Sequence, residues 1–321
     1  DAAQAAGAYP INMQKMNISS SPHITSSENT SGIMLDVIFA LLPATVCGIY
    51  FFGFHALLII AVSVASAVVS EYIWCRAIKK EPSLRDLSAI VTGLLLALNL
   101  PPTLPLWMAA VGSAIAIIVV KQMFGGIGHN FANPAITARI VLMVSFPTAM
   151  TTFVDPFAAV DTVSTATPLS GSQEVATDIA GLFFGNYPGC IGETSAILLL
   201  AGGAYLVLRR VITPHIPLAF MASAAVLALI LGDDPIRTLL SGGLMIGAIF
   251  MATDYVTSPP NRLGKIIFGI GCGLITVIIR HFGNLPEGVS FSILIMNILT
   301  PHITRLTTPK PFGMEAKSDE K

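Results

Sequence analysis

A run of hydroxyl side chains around one alanine is the part of this sequence best suited to covalent chemistry. Residues 161–169 read DTVSTATPL, which matches the pattern Asp-x-x-Ser/Thr-x-Ala-Ser/Thr at which a flavin transferase joins FMN to the last hydroxyl through a phosphoester. That reaction needs an accessible hydroxyl flanked by small residues. The pattern predicts Thr167 as the acceptor, although composition alone is also typical of a Ser/Thr-rich loop. The other residues of the predicted site are Asp161, Ser164, Thr165 and Ala166.

A carboxylate and three aliphatic hydroxyls lie together in residues 252–259, which read ATDYVTSP. A proline pair follows, and proline cannot continue a helix. A charge at such a break in an apolar segment is costly unless it is used or paired. Asp254, with Thr257 and Ser258, is therefore a candidate contact for a cation or a flavin. Helix capping or an ion pair explains these residues equally well.

Two further carboxylates lie in or near the ends of apolar segments. Asp36 and Glu71 could be steps in an ion path, because ionisable groups in such segments often mark one. A structural pairing, for instance with Arg139, is an equally good interpretation.

A glycine-rich segment, residues 125–134, reads GGIGHNFANP. Glycines allow a close backbone approach, and amide side chains can bond a planar heterocycle. The segment therefore offers candidate flavin contacts, although it is also typical of a tight re-entrant turn. The candidates are Gly125, Gly126, Asn130 and Asn133.

The elements that carry these residues are predicted to be transmembrane helices. The chain is 54% hydrophobic and 11% charged, against about 25% charged residues in soluble domains. A helix needs roughly 20 mainly apolar residues to cross a bilayer. The sequence predicts an all-α integral membrane protein with spans at 33–52, 55–77, 86–100, 104–124, 133–149, 192–210, 214–232, 236–254, 262–281 and 287–304. The third span is short and is followed by prolines at 101, 102 and 105, so it is predicted to stop inside the membrane.

Composition also excludes other classes of function and site. The net charge of -1 and the lack of a basic stripe argue against a nucleic-acid partner, since phosphates need Lys and Arg. The four cysteines are far apart and form no CxxC pair, which argues against a metal site built by this chain alone. They are interpreted as small apolar fillers.

Lysines and arginines predict the orientation, because short loops rich in them stay in the cytoplasm. They cluster at the ends of alternate spans, so both termini are predicted to be cytoplasmic. The loop that carries Thr167 has acidic residues but no Lys or Arg and is predicted to lie outside. The resulting organisation is a cytoplasmic tail (1–31), five helices (32–149), the outer loop (150–191), five more helices (192–305) and a cytoplasmic tail (306–321).

The two groups of five helices are related by a weak internal repeat. A shift of about 159 residues places GSAIAIIVVK, which ends at Lys121, on GCGLITVIIR, which ends at Arg280. An odd number of spans in each half makes the second half insert upside down, and such repeats build sites from interrupted helices near the midplane. Chance similarity between apolar helices is the alternative interpretation.

These motifs resemble those of a family of membrane redox proteins. It contains the D subunit of the Rnf complex, the ion-translocating ferredoxin:NAD oxidoreductase, and the B subunit of the sodium-pumping NADH:quinone reductase. The resemblance covers residues 19 to 311, and the short N-terminal tail is more similar to the D subunit. Thr165 stands where these families commonly have Gly. The segments that carry the resemblance are SSPHI, IMLDVIFALLPA, FGGIGHNFANPA, STATPL, GETSA and SGGLMIGAIFMATDYVTSP.

The resemblance implies a covalent FMN on Thr167 and coupling of electron flow to Na⁺ or H⁺ movement in the bacterial cytoplasmic membrane. It also implies two inverted five-helix halves, similar to urea-transporter-like folds. A second, non-covalent flavin is associated with the family. The implied partners are a flavin transferase, the lipid bilayer and the other Rnf subunits: the flavin-carrying G subunit, the NAD-binding C subunit and the membrane A and E subunits.

Two alternative functions stay open at the level of sequence. A cofactor-free channel or small-solute transporter could use the same inverted-repeat fold, but it has no use for the hydroxyl-rich outer loop. The second alternative is the related subunit of a Na⁺-pumping NADH:quinone reductase.

Overall fold

The structure is a computed structural model that describes residues 29–79, 86–157, 179–185, 187–193, 195–283 and 287–309. The regular secondary structure of these residues is helical, as the sequence predicted. The proposed attachment site at Asp161, Ser164, Thr165, Ala166 and Thr167 lies outside the described residues, as do most of both tails.

Each of the ten predicted spans contains helix in the structure. The elements are α1 (Thr30–Ala77), α2 (Ser88–Leu98), α3 (Leu106–Ile115) with a π-helix, π1 (Ala116–Gln122), α4 (Pro134–Ser145), α5 (Pro147–Thr151), α6 (Ile179–Phe184), a 3₁₀ turn (Ile191–Glu193), α7 (Ala196–Leu208), α8 (His215–Leu231), α9 (Pro235–Leu240), α10 (Leu244–Ile246) with a second π-helix, π2 (Gly247–Met251), α11 (Arg262–Phe282) and α12 (Val289–Thr307).

Three helices of the described chain are long and apolar enough to cross a membrane: α1, α11 and α12. α1 has 48 residues and bends at Gly53, whose φ of 72° is not helical, so it covers two of the predicted spans. The helices of 10–17 residues are also apolar: α2, α3 with π1, α4, α7 and α8. Large apolar side chains such as Tyr50, Phe54 and Leu208 are exposed on the outer surface, as expected of a protein that faces lipid.

Two short helices end inside the bundle instead of crossing it. α2 has 11 residues and ends at Leu98, ahead of the prolines at 101, 102 and 105, which cannot continue a helix. α10 begins after Gly242 and Gly243, whose φ angles are 64° and 68°. The sequence predicted a break after the third span and at 252–260, but the break at Gly242 lies inside a span that was predicted to be continuous.

The 3₁₀ turn packs between these two interrupted helices at Gly192. A Cβ at this position would lie 2.6 Å from Leu98 Cβ, 2.8 Å from Leu98 O and 3.1 Å from Ile246 Cδ1. Glycine is thus the only residue that lets the turn approach the ends of α2 and α10 so closely. This contact packs the 3₁₀ turn directly against both interrupted helices.

Gly192→Ala should therefore destabilise the protein, because the added methyl meets backbone that cannot move aside. We expect a loss of about 1–3 kcal/mol, the usual cost of overpacking, seen as a lower melting temperature in detergent. Gly32→Ala is the matched control, since a Cβ at Gly32 meets nothing within 4 Å. Equal melting temperatures for the two variants would show that the turn is not tightly packed.

Candidate functional site

A cavity of about 340 Å³ lies between the two halves of the chain. Its apolar walls come from α1, α2, α7 and π2, and include Met34, Leu95 and Phe250. Its volume falls in the usual range of about 300–1,000 Å³ for small-molecule sites. Polar groups line it at few places: Thr30, Ser88, Thr92, Lys121, Asn130, Asn133, Thr253, Asp254 and Tyr255.

Asn133 joins the cavity wall to both halves of the bundle. Its Oδ1 accepts hydrogen bonds from the backbone N–H groups of Ala135 (3.1 Å) and Ile136 (3.3 Å), so it caps α4 in the manner preferred for Asn. Its Nδ2 donates to Met251 O at 3.3 Å, at the end of π2. Asn130 lines the same wall and donates to Ala132 O. The structure thus brings the two predicted asparagines together.

Asp254 faces this cavity from the break that follows π2. Thr257 Oγ1 donates to its Oδ2 at 3.2 Å, and the N–H of Val256 lies 3.5 Å from its Oδ1. Among the described residues no basic side chain forms a salt bridge with Asp254. The carboxylate is therefore held in place by local hydrogen bonds, and its charge faces the cavity without a counter-ion from those residues.

Four other predicted contacts lie outside the cavity lining. The amides of Gly125 and Gly126 bond the carbonyls of Gln122 and Lys121 within a turn, with φ angles of 122° and 100°. Thr257 and Ser258 are buried, and Thr257 O accepts from Thr300 at 2.9 Å. The glycines thus make the tight turn that was the alternative interpretation, and a flavin contact at these four residues stays a prediction.

Glu71 forms a buried ion pair with Lys121 beside the cavity. Lys121 Nζ lies 3.0 and 3.1 Å from the two Glu71 oxygens and 2.6 Å from Ser88 Oγ. Gln122 Nε2 donates to Glu71 Oε1 at 2.8 Å. Glu71 is fully buried, whereas Lys121 and Ser88 reach the cavity wall. Lys121 was used only as a marker of the orientation and of the internal repeat, and its role in this pair was missed.

Asp36 is paired near the other end of α1. It accepts hydrogen bonds from Tyr205 OH (2.8 Å) and Arg209 Nη2 (3.2 Å). The interpretation of both carboxylates as structurally paired is therefore confirmed, but Arg139, which was given as an example, is the partner of neither. A place in an ion path stays a prediction for both.

Arg139 instead occupies a fully buried cluster at the centre of the bundle. Its guanidinium donates to Asn99 Oδ1 (2.7 Å), to Cys190 Sγ (3.2 Å) and to Glu287 Oε1. Glu193 Oε1 lies 3.8 Å from the same guanidinium. Sequence reasoning singled out neither glutamate, although each is a charge at the edge of an apolar segment and Glu193 belongs to the GETSA motif.

Comparison with known proteins gives one consistent result. The model of the NQR2, RnfD, RnfE family matches residues 17–313. The chain is 47% identical to the D subunit of the Na⁺-translocating ferredoxin:NAD⁺ oxidoreductase complex of Acetobacterium woodii, over 95% of this chain and 97% of that protein. It is 44% identical to the D subunit of the proton-translocating complex of Clostridium ljungdahlii, over 92% and 96%. The D subunit of the ion-translocating oxidoreductase complex of Methanosarcina acetivorans is 36% identical, over 94% and 98%.

The pair of Glu71 and Lys121 should stabilise the bundle only while both charges are present. Removing one partner, as in Glu71→Gln, leaves a buried charge and should cost about 3–5 kcal/mol. The double variant Glu71→Gln/Lys121→Met should recover much of this loss, measured by thermal unfolding in detergent. Asp36→Asn is the control and should have little effect, because Arg209 is largely exposed. A double variant no more stable than the single one would argue against the pairing.

Proposed function

The chain belongs to the NQR2, RnfD, RnfE family, and from this membership we propose that it is the D-type membrane subunit of an ion-translocating ferredoxin:NAD⁺ oxidoreductase. Its role is to relay electrons within a redox-driven translocase, and it is not catalytic alone. The observation that carries the proposal is the similarity to D subunits over more than nine-tenths of the chain. These relatives favour this assignment over the subunit of the NADH:quinone reductase.

We propose that the helices form two inverted five-helix halves with ten spans. Lys121 and Arg280 coincide when the halves are superposed in sequence, and each contacts the start of an interrupted helix. Lys121 donates to Ser88 at the first residue of α2. Arg280 donates to the carbonyls of Ser241 (3.0 Å) and Gly242 (2.9 Å), just before α10. Matching contacts of this kind support a repeat in the fold. From the distribution of Lys and Arg we propose that both termini lie in the cytoplasm and residues 150–191 outside.

We propose that Thr167 carries FMN as a phosphoester on the outer side of the membrane. The support is the sequence of residues 161–167, DTVSTAT, in which small residues flank the acceptor hydroxyl. When bound, the isoalloxazine would accept and release electrons one or two at a time, while the protein supplies position and electrostatics. A flavin transferase would load it during maturation.

We propose that the cavity between the halves holds the second, non-covalent flavin. Its apolar walls suit a planar ring, and its volume suits a small molecule. Asn130, Asn133 and Thr92 offer amides and a hydroxyl that can bond the polar edge of such a ring. Asp254 places a negative charge at the wall, which would hold a cation, Na⁺ or H⁺, near the site.

This chain would work only within its complex. The proposed partners are the flavin-carrying G subunit, the NAD-binding C subunit and the membrane A and E subunits, in the bacterial cytoplasmic membrane. A cofactor-free channel is the rival function. The hydroxyl-rich residues 161–167 disfavour it, because a cofactor-free channel has no use for a flavin attachment pattern.

Replacing the acceptor hydroxyl tests whether FMN is attached covalently at Thr167. Thr167→Ala, co-expressed with a flavin transferase, should lose all flavin fluorescence from its band in a denaturing gel, because the phosphoester cannot form. Thr162→Ala is the matched control and should keep it, since that position is not constrained by the pattern and is not one of the predicted site residues. Fluorescence retained by Thr167→Ala, or a colourless wild-type band, would refute the assignment.

Filling the cavity with a larger side chain tests whether it binds the second, non-covalent flavin. In a Thr167→Ala background the only flavin left on this chain would be non-covalent, and acid extraction of the purified chain should release about one equivalent. Val91→Phe places a ring in the cavity, which Val91 lines, and should abolish this flavin. Val111→Phe on the lipid-facing side of α3, where Val111 is 42% exposed, should leave it bound. Equal flavin content in the two variants would place the second flavin elsewhere.

A further inference from the structure

Two carboxylates share one guanidinium in the cluster around Arg139. Glu287 Oε1 accepts a hydrogen bond from Arg139 Nη2, and Glu193 Oε1 lies 3.8 Å from the same nitrogen, which is too long for a hydrogen bond. The two glutamate side chains are only 5% and 6% exposed. The guanidinium therefore hydrogen-bonds only one of two buried carboxylates.

The other polar groups of the described chain around the cluster give the two carboxylates no further hydrogen bond from a cation. Arg280 on α11 interacts electrostatically with both glutamates, but its guanidinium donates to the carbonyls of Thr238, Ser241 and Gly242. Among the described residues it makes no salt bridge. The remaining titratable neighbours are neutral donors. Tyr187 OH points to the carbonyls of Glu193 and Leu240, and the Cys190 thiol lies 3.6 Å from Glu287 Oε1.

One oxygen of each carboxylate is also left without a hydrogen bond. Within the described chain, Glu193 Oε1 and Glu287 Oε2 are buried and have no hydrogen-bond partner. A buried acceptor in this condition costs about 1–3 kcal/mol, and more when it is charged. Carboxylate oxygens of the two residues lie within 4.8 Å of each other. Glu193 also borders a cavity of about 10 Å³, close to the smallest space that holds one water, about 10–15 Å³.

The surroundings favour a proton over a metal ion as the partner of the two unpaired oxygens. With Arg139 and Arg280 beside the two carboxylates, a divalent ion would leave an excess of positive charge. Hard cations take about six oxygen ligands, whereas the ligand atoms that meet in the described cluster are one oxygen of each glutamate and the Cys190 sulfur, and the small cavity is otherwise lined mainly by aliphatic side chains. A proton removes the repulsion between the two carboxylates without further ligands. It also converts one unpaired acceptor into a donor that can bond the neighbouring carboxylate directly or through a water.

We propose that Glu193 and Glu287 together hold one exchangeable proton at the centre of the bundle. The reaction is the protonation of one carboxylate to a carboxylic acid; one O–H bond forms and no electron moves. The proton belongs to the pair rather than to either residue, because the two groups interact strongly. This site is separate from the flavin cavity and from Asp254, and it does not depend on a bound flavin.

Infrared difference spectroscopy tests the proposal on the intact complex in lipid, with the redox state held constant. Raising the pH should remove the C=O stretching band of one buried carboxylic acid, and D₂O should shift that band. Glu193→Gln and Glu287→Gln should each abolish it, because a single carboxylate opposite Arg139 needs no proton. Asp36→Asn is the control, since Asp36 already pairs one-to-one with Arg209, and it should leave the band unchanged.

The outcomes distinguish a proton shared by Glu193 and Glu287 from a cation site and from the absence of any titrating carboxyl group. A wild-type complex without a titrating buried carboxyl band would refute the proposal, as would a band that survives both glutamine substitutions. A band that responds to Na⁺ at constant pH would also refute it and would identify a cation site instead. If one glutamine variant fails to assemble, the other and the wild-type titration still decide, since both carboxylates are required.

Discussion

Hydrocarbon offers no hydrogen-bond partners, so each polar group inside this bundle needs a partner within the protein. The places where helices stop are therefore the places where polar side chains gather. Asn99 follows the last residue of α2. Its amide donates to Leu95 O at 2.7 Å and accepts a hydrogen bond from Arg139. π2 ends at Met251, whose carbonyl accepts from Asn133. The interrupted helices thus create both the need for polar residues and the room for them.

The same constraint explains why uncharged asparagine side chains are important in this bundle. They supply hydrogen bonds to backbone groups at helix ends. Asn133 caps α4 and also bonds the end of π2, so one residue satisfies backbone groups in both halves. Asn297 on α12 repeats this role when its amide nitrogen faces Thr257 O at 3.2 Å and its oxygen faces the N–H of Asn133 at 3.2 Å. An amide can donate and accept at once without a net charge. It is therefore a cheaper link between helix ends in a membrane than an ion pair, which carries a desolvation cost.

Much of this architecture could be predicted from local sequence. Apolar stretches and prolines predicted helices and the short α2, because length and the missing N–H of proline act locally. Asn130, Asn133 and Asp254 were singled out and do line one cavity. The partners of charged residues could not be predicted, because Arg139 meets Glu287 across 148 positions of sequence, and only the packing of helices decides which charges meet. The break at Gly242 was missed because no proline marks it and the stretch around Ser241 and the two glycines is otherwise apolar.

The cavity proposed to hold a flavin and the Arg139 cluster both contact α2. Ser88 and Leu95 of this helix line the cavity, and Asn99, which follows its last residue, bonds Arg139. Even the far end of the cavity, at Ser88, lies only one 11-residue helix, about 16 Å, from Asn99. At an effective dielectric constant of about 20, two unit charges at that distance interact by about 1 kcal/mol. An electron placed in the cavity would therefore favour a proton at Glu193 and Glu287 at least several-fold, and this coupling would need no moving part.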